Sequence, residues 1–195
     1  MILFSVFACK KEEPVVEETV IPDQLLGDTD AELLTSQFWN SYQVSSTSGQ
    51  ILTGSITTHG FTIGRIENVS RSPIHSFMIS RTITDSEYFA YYSQRYPRQM
   101  PVGKNLTLRA HIKGVNLEGE GVSLMIECED VNLAHVQVAD THGSVSIKGT
   151  FDWTAYTVEL KNLGSNVTTI FVYLNYLPNT TGTAYFDDIT LTQAQ

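Results

Sequence analysis

The sequence predicts an all-β fold, a two-sheet antiparallel β-sandwich of the jelly-roll type. Segments rich in Val, Ile, Thr, Tyr and Phe recur between clusters of Gly, Asn, Asp and Pro, which is how strands and turns alternate in a chain. Several of these segments alternate apolar and polar residues with period two, so each has one face to bury and one to expose. The spacing between them is short, which suits antiparallel sheets and leaves no room for crossover helices. About eight to ten strands are expected between Gln50 and Thr192. No internal repeat is visible.

Composition narrows the classes of function. The chain has 195 residues, 42% hydrophobic and 17% charged, which fits one folded domain plus a tail. Its formal net charge is −9, with no basic cluster. Nucleic acid is therefore excluded as a partner, because phosphate binding requires Lys and Arg to replace counterions. Electrostatic adhesion to anionic lipid is excluded on the same ground. No stretch approaches the roughly 18 apolar residues that a spanning helix needs. Only two cysteines occur, Cys9 and Cys128, so there is no disulfide framework.

Read from the start, residues 1–8 (MILFSVFA) form an apolar segment ending in a small residue, as at the end of a secretory signal. Val6-Phe7-Ala8-Cys9 resembles a bacterial lipobox, and Lys10-Lys11-Glu12-Glu13-Pro14 looks like the mature start of Bacteroidetes-type lipoproteins. That resemblance implies lipidation of Cys9, anchorage through the lipid alone, and an outer-membrane or cell-surface location. The alternative is an ordinary thiol near the terminus. Residues 9–28 then read as an acidic flexible tether, with little to bury. The domain is expected over residues 29–195, as a monomer. Thr29 and Glu32 have capping-box spacing, which predicts a short helix over Thr29–Gln37.

Strand signals follow. Leu106, Leu108, Ala110 and Ile112 alternate with polar residues; so do Val122, Leu124, Ile126 and Cys128, and then Tyr156, Val158 and Leu160. Cys128 falls on the apolar side and reads as a small buried hydrophobe. HSFMI (75–79), FAYYSQRY (89–96), GTFDWTAYTVEL (149–160), VTTIFVYLNYL (167–177) and TGTAYFDDITL (181–191) complete the series.

In order and spacing, residues 75–192 resemble the galactose-binding-like jelly rolls, the fold group that includes many carbohydrate-binding modules. The Trp-x-x-Tyr strand and the closing Phe-Asp-Asp-Ile strand carry most of the likeness. The resemblance implies non-catalytic binding of a glycan or polysaccharide. A structural or protein-interaction domain of the cell envelope is the alternative, and a carbohydrate-active enzyme a third reading. It also implies that Asp187 holds a structural calcium ion. Asp187 shares parity with Ile189 and Leu191 and should point inward, where a carboxylate needs either a cation or several N–H donors.

The ligand candidates are Tyr91, Tyr92, Gln94, Met125, Glu127, Tyr173 and Asn175. Sugars lay their C–H faces on aromatic rings, while amides and carboxylates meet the hydroxyls. Along the strand from Tyr88 to Tyr96, one side carries Tyr88, Tyr92, Gln94 and Tyr96, and the other Phe89 and Tyr91. Which side meets solvent is left open. Jelly-roll connectivity places this strand beside 123–129 and 169–176. Trp153 reads as either core or sugar platform. Glu127 and Glu129 stand about 6.5–7 Å apart at Cα by strand geometry, but the Glu-x-Asp-x-x-Glu pattern of jelly-roll glycosidases is missing, so no catalytic residue is assigned. The five histidines form no metal-spaced pair.

Overall fold

The computed structural model describes residues 21–33, 38–52 and 58–194. Among these, ten strands form in chain order: β1 (Trp39–Ser45), β2 (Ile51–Leu52), β3 (Phe61–Glu67), β4 (His75–Arg81), β5 (Tyr88–Tyr96), β6 (Leu106–Glu129), β7 (His135–Asp140), β8 (Ile147–Leu160), β9 (Thr169–Tyr176) and β10 (Thr181–Gln193). Pairing between neighbouring strands is antiparallel throughout. The all-β sandwich expected from the alternation is thus observed.

The long strand β6 builds both layers. Residues 106–118 pair with β8 and β10, and β10 continues to β4 and β3. Residues 122–129 pair with β7 and β9, and β9 continues to β5, β1 and β2. Between the two halves stand Gly119 (φ 82°) and Gly121 (φ 85°), in the left-handed region that a side chain disfavours. A Cβ at Gly119 would also run into the Asn179 carbonyl, and one at Gly121 into the Ile147 carbonyl. The bend therefore needs glycine at both points.

The core lies between the layers. Leu106, Leu108, Ala110 and Ile112 from one half of β6 are buried, as are Leu124, Ile126 and Cys128 from the other. Ile170, Val172, Leu174 and Tyr176 of β9 and Phe186 of β10 join them. Burial pushes the Cys128 thiol up to about 11, so it stays protonated and behaves as a small hydrophobe.

Two expectations for the start of the domain are corrected. Residues 21–28 belong to the folded unit rather than to a tether. Leu25 and Leu26 are buried, Leu25 N donates to Leu191 O at 2.9 Å, and Gln193 N donates to Asp23 O at 3.1 Å. The two leucines supply the apolar area that the acidic surroundings concealed in sequence. The helix predicted over Thr29–Gln37 does not form across Thr29–Leu33, which makes turns with Ala31 at φ 57°; residues 34–37 lie outside the described residues. Glu32 is drawn away from a capping role. Its carboxylate accepts from Ile74 N (2.8 Å), His75 N (2.7 Å) and His75 Nδ1 (2.7 Å), fixing this segment to the start of β4.

This contact sets a pH dependence. Burial alone would raise the Glu32 pKa, but the hydrogen bonds from the His75 ring and from the two backbone N–H groups outweigh it and hold the value at about 2, against an ordinary 4.5. A depressed carboxylate stabilises the fold fully above its unfolded value and loses that contribution as pH falls through its folded value. Thermal melts of the wild type should therefore drop between pH 4.5 and about 2 more steeply than those of Glu32→Gln. Parallel acid limbs would show that the contact does not stabilise the fold. Cys9, where lipidation is expected, the segment 1–8 and residues 10–20 of the expected tether lie outside the described residues.

Candidate functional site

The layer β2-β1-β5-β9-β6-β7 turns one face to the core and one to solvent, and register decides which residues share the outer face. Tyr42 pairs with Tyr91, Tyr91 with Asn175, and Asn175 with Ser123. One step along, Asn40 pairs with Ser93, Ser93 with Tyr173, Tyr173 with Met125, and Met125 with Asp140. The next row holds Arg95, Phe171, Glu127 and Val138.

The rings on this face are contiguous. Tyr42 and Tyr91 have centroids 5.4 Å apart, Phe89 and Tyr91 6.1 Å, Tyr91 and Tyr173 5.2 Å, and Tyr173 and Phe171 6.1 Å. All five are half-buried, each covered on its flanks by the next and open above. Burial raises the Tyr91 pKa, and the adjacent Tyr42 adds to this. Burial likewise raises that of Tyr173, helped by Tyr91, Glu129 and Tyr42. Both hydroxyls therefore stay protonated and can donate.

Polar groups border the rings. Asn175 is buried beside Tyr91, and its Nδ2 donates to Ser123 Oγ at 3.3 Å. The Glu127 carboxylate is nearly covered and pairs closely with the exposed His135 ring on β7. Met125 lies half-buried between Tyr173 and the edge strand. Of the seven candidates, Tyr91, Met125, Glu127, Tyr173 and Asn175 thus share one face.

Tyr92 and Gln94 do not, and here the candidate set is corrected. Both lie on the opposite side of β5. Tyr92 is 5% exposed, with its ring 4.7 Å from that of Phe77 in the core. Gln94 is buried, and its amide is used up: Nε2 donates to Gly27 O at 2.9 Å and Oε1 accepts from Gly27 N at 2.7 Å. Gln94 therefore pins the N-terminal segment to the sandwich. Tyr42 was missed in sequence; its shared parity with Asn40, opposite to that of Trp39 and Gln43 in WNSYQVS, was the available signal.

Asp187 is buried, but from the other direction. The register shift after Asp187 turns its side chain away from the core, to which Phe186 and Ile189 both contribute. The chain at Arg71 and Ser72 covers it instead. One carboxylate oxygen accepts from Arg71 N (2.6 Å) and Ser72 N (3.0 Å), the other from Ser72 Oγ (2.9 Å) and Asp188 N (2.7 Å). Both oxygens face N–H and O–H donors, which does not fit a cation, and the described residues contain no cluster of three metal-binding side chains. Burial raises the Asp187 pKa against these four bonds. Adding calcium or a chelator should leave the melting temperature unchanged. Asp187→Asn, whose amide NH2 would face two backbone N–H groups, should cost about 2–3 kcal/mol in chemical denaturation. Calcium-dependent melting would contradict this assignment.

Trp153 is half-buried on β8, in the other layer, and takes no part in the aromatic face. His111 and Glu127 occupy different halves of β6; His111 lies 3.7 Å from Asp188 instead.

The chain is similar in fold to known proteins. A cyclase from Fischerella sp. TAU, solved in complex with 4-(1H-indol-3-yl)butan-2-one, superposes with TM-score 0.64 at 12% identity, covering 88% of this chain and 97% of that one. The CBM22-1 xylan-binding domain of Paenibacillus barcinonensis Xyn10C gives 0.53 at 10% identity, covering 85% and 92%. TmCBM61, solved in complex with β-1,4-galactotriose, gives 0.53 at 13% identity, covering 88% and 99%. The chain spans only 22% of the enzymatically active domain of bacteriophage CBA120 tailspike protein 4, a further match with TM-score 0.60 at 10% identity and 88% of this chain covered. No family model and no curated protein sequence matches. The fold is therefore one shared by carbohydrate-binding modules and by enzyme domains.

Proposed function

We propose that this protein is a non-catalytic carbohydrate-binding module that holds a polysaccharide chain on the outer face of β1, β5, β9 and β6. The observation that carries this reading is the run Phe89, Tyr91, Tyr173, Phe171, whose successive centroids lie 6.1, 5.2 and 6.1 Å apart. This interval is close to the length of one pyranose unit in an extended chain; Phe89 lies at 32° to Tyr91 and Phe171 at 26° to Tyr173, while Tyr91 and Tyr173 meet edge to face at 79°, so the run offers a stacking surface at each end. Asn40 is exposed beside the rings and can meet hydroxyls, while Asn175 and Glu127 lie at their base.

The xylan-binding and galactotriose-bound modules of similar fold give the first probes to try. Individual contacts of this type are weak, so micromolar to millimolar affinity is expected, about −8 to −4 kcal/mol. A lipid on Cys9 would present the domain at the cell surface, where a glycan binder meets its polymer. The test is a broad glycan and polysaccharide array probed with the full chain. Selective binding to one class of glycan supports the proposal. A blank array from folded protein would overturn it and make the aromatic face an interface for another protein.

A further inference from the structure

The run of rings ends at Phe171, and beyond it the chemistry changes. The Arg95 guanidinium lies 5.9 Å from the Phe171 centroid and reaches Thr169 Oγ1 at 3.4 Å. Next to Arg95 a cavity of about 430 Å³ opens between the end of β5 and the N-terminal segment, lined by Gly27 and Phe38, by Gln94 and Tyr96 from the other side of β5, and by Arg95 and Arg98, among others. That volume falls in the range of small-ligand pockets, roughly 300–1,000 Å³.

Two of the residues lining this cavity are arginines. The net charge is −9, and Arg65, Arg71 and Arg81 each meet a carboxylate. Among the described residues Arg95, Arg98 and Arg109 meet none; Arg109 reaches the His111 ring, whereas Arg95 and Arg98 line one cavity together. Glu127, the acidic residue in the same row, is two strands away across Phe171 and is engaged by His135. Arg95 and Arg98 are exposed, and the Arg95 guanidinium stands near the Phe171 ring and beside the cavity, with donors beyond its Thr169 bond free to meet a ligand. Guanidinium presents a planar fork that matches an oxyanion in two bonds.

We infer that the cavity beside Arg95 and Arg98 is an end subsite for an anionic sugar residue, whose carboxylate or sulfate ester pairs with the guanidinium groups while the rest of the chain lies along the rings. This rests on the carbohydrate-binding reading and names the class of glycan within it. A neutral polymer would leave the two exposed cations to solvent; an acidic one can pair with them at the point where the rings stop.

The test compares three oligosaccharides of equal length by titration with the full chain: oligogalacturonate, a sulfated galactan fragment and a neutral galactan fragment. The wild type should bind at least one anionic oligosaccharide about tenfold or more tightly than the neutral one, and the ratio should shrink as salt is raised. In Arg95→Gln the ratio should fall towards one, with Arg98→Gln lowering it in the same direction. Preference for the uronate or for the sulfate identifies the anion. Equal binding of all three by the wild type, or a preference that survives in both variants, overturns the inference while leaving the aromatic-face reading intact. A wild type that binds none of the three but binds neutral glycans on the array overturns it as well. Binding to no glycan at all would overturn both.

Discussion

Replacing Arg81 with alanine should lower the stability of the domain by about 3–5 kcal/mol, a large part of the 5–15 kcal/mol typical of a folded domain. Arg81 sits at the end of β4, on the core side, and its side chain is 0% exposed. Its Nε donates to His59 O at 3.0 Å, and Nη1 donates to Asp85 O and Tyr88 O at 3.0 Å each. Nη2 lies 3.1 Å from the Asp85 carboxylate, and the guanidinium carbon stands 4.3 Å over the Phe61 ring. One side chain thus ties β4 to the start of β5, and with it the two layers at this end of the sandwich. Alanine would take a donor from three carbonyls, of which Asp85 O keeps Asn179 N at 3.0 Å, and would leave the Asp85 carboxylate without its cation. A domain of this size should then melt about 6–20 °C lower. Arg81→Lys should fall between the two, since an ammonium keeps the charge but not the planar fork. Melting followed by circular dichroism decides the matter; an alanine variant that melts with the wild type would mean that the site is already open to water.

Tyr173→Ala should weaken glycan binding tenfold or more, about 1.4 kcal/mol, with little change in melting temperature. Tyr173 is the middle of the run, 5.2 Å from Tyr91 and 6.1 Å from Phe171, so its loss interrupts the surface rather than shortening it. Tyr91→Ala removes the ring that joins Tyr42 and Phe89 to the rest and should have an effect of the same size. From a micromolar-to-millimolar start, the double variant should show no measurable binding. Tyr173→Phe keeps the stacking surface and loses only a hydroxyl, so it should bind within a few-fold of the wild type. Two single alanine variants with wild-type affinity would place the site elsewhere on the domain.

The strands were legible because burial on one face imposes alternation, as in Leu106 to Ile112 and Val122 to Cys128. The site was legible only up to a choice of face. Tyrosine occurs in both parities of the Tyr88–Tyr96 strand, so hydropathy does not say whether Tyr91 or Tyr92 meets solvent; the contact of Tyr92 with Phe77, from a different strand, decides it. Tyr42 reaches the site through pairing with Tyr91, a contact between residues far apart in sequence. The inward pointing expected of Asp187 failed because a register shift after it breaks the parity that Ile189 and Leu191 suggested. Glu32 has the local spacing of a helix start, yet donors on β4 recruit it. Arg81 could not be read as core, since a charged side chain is buried only when partners converge on it, and here that takes a turn which brings Asp85, Tyr88 and His59 around one guanidinium.

The central claim is that glycan lies on the outer face of β1, β5, β9 and β6. The most direct measurement is an aromatic-proton NMR titration of the full chain with the best oligosaccharide from the array. The account predicts that the ring signals of Tyr42, Phe89, Tyr91, Phe171 and Tyr173 shift together along one binding curve, while those of Trp39 and Trp153 stay still. Shifts that gather instead on Trp153 and Tyr185, with the five rings unmoved, would contradict it.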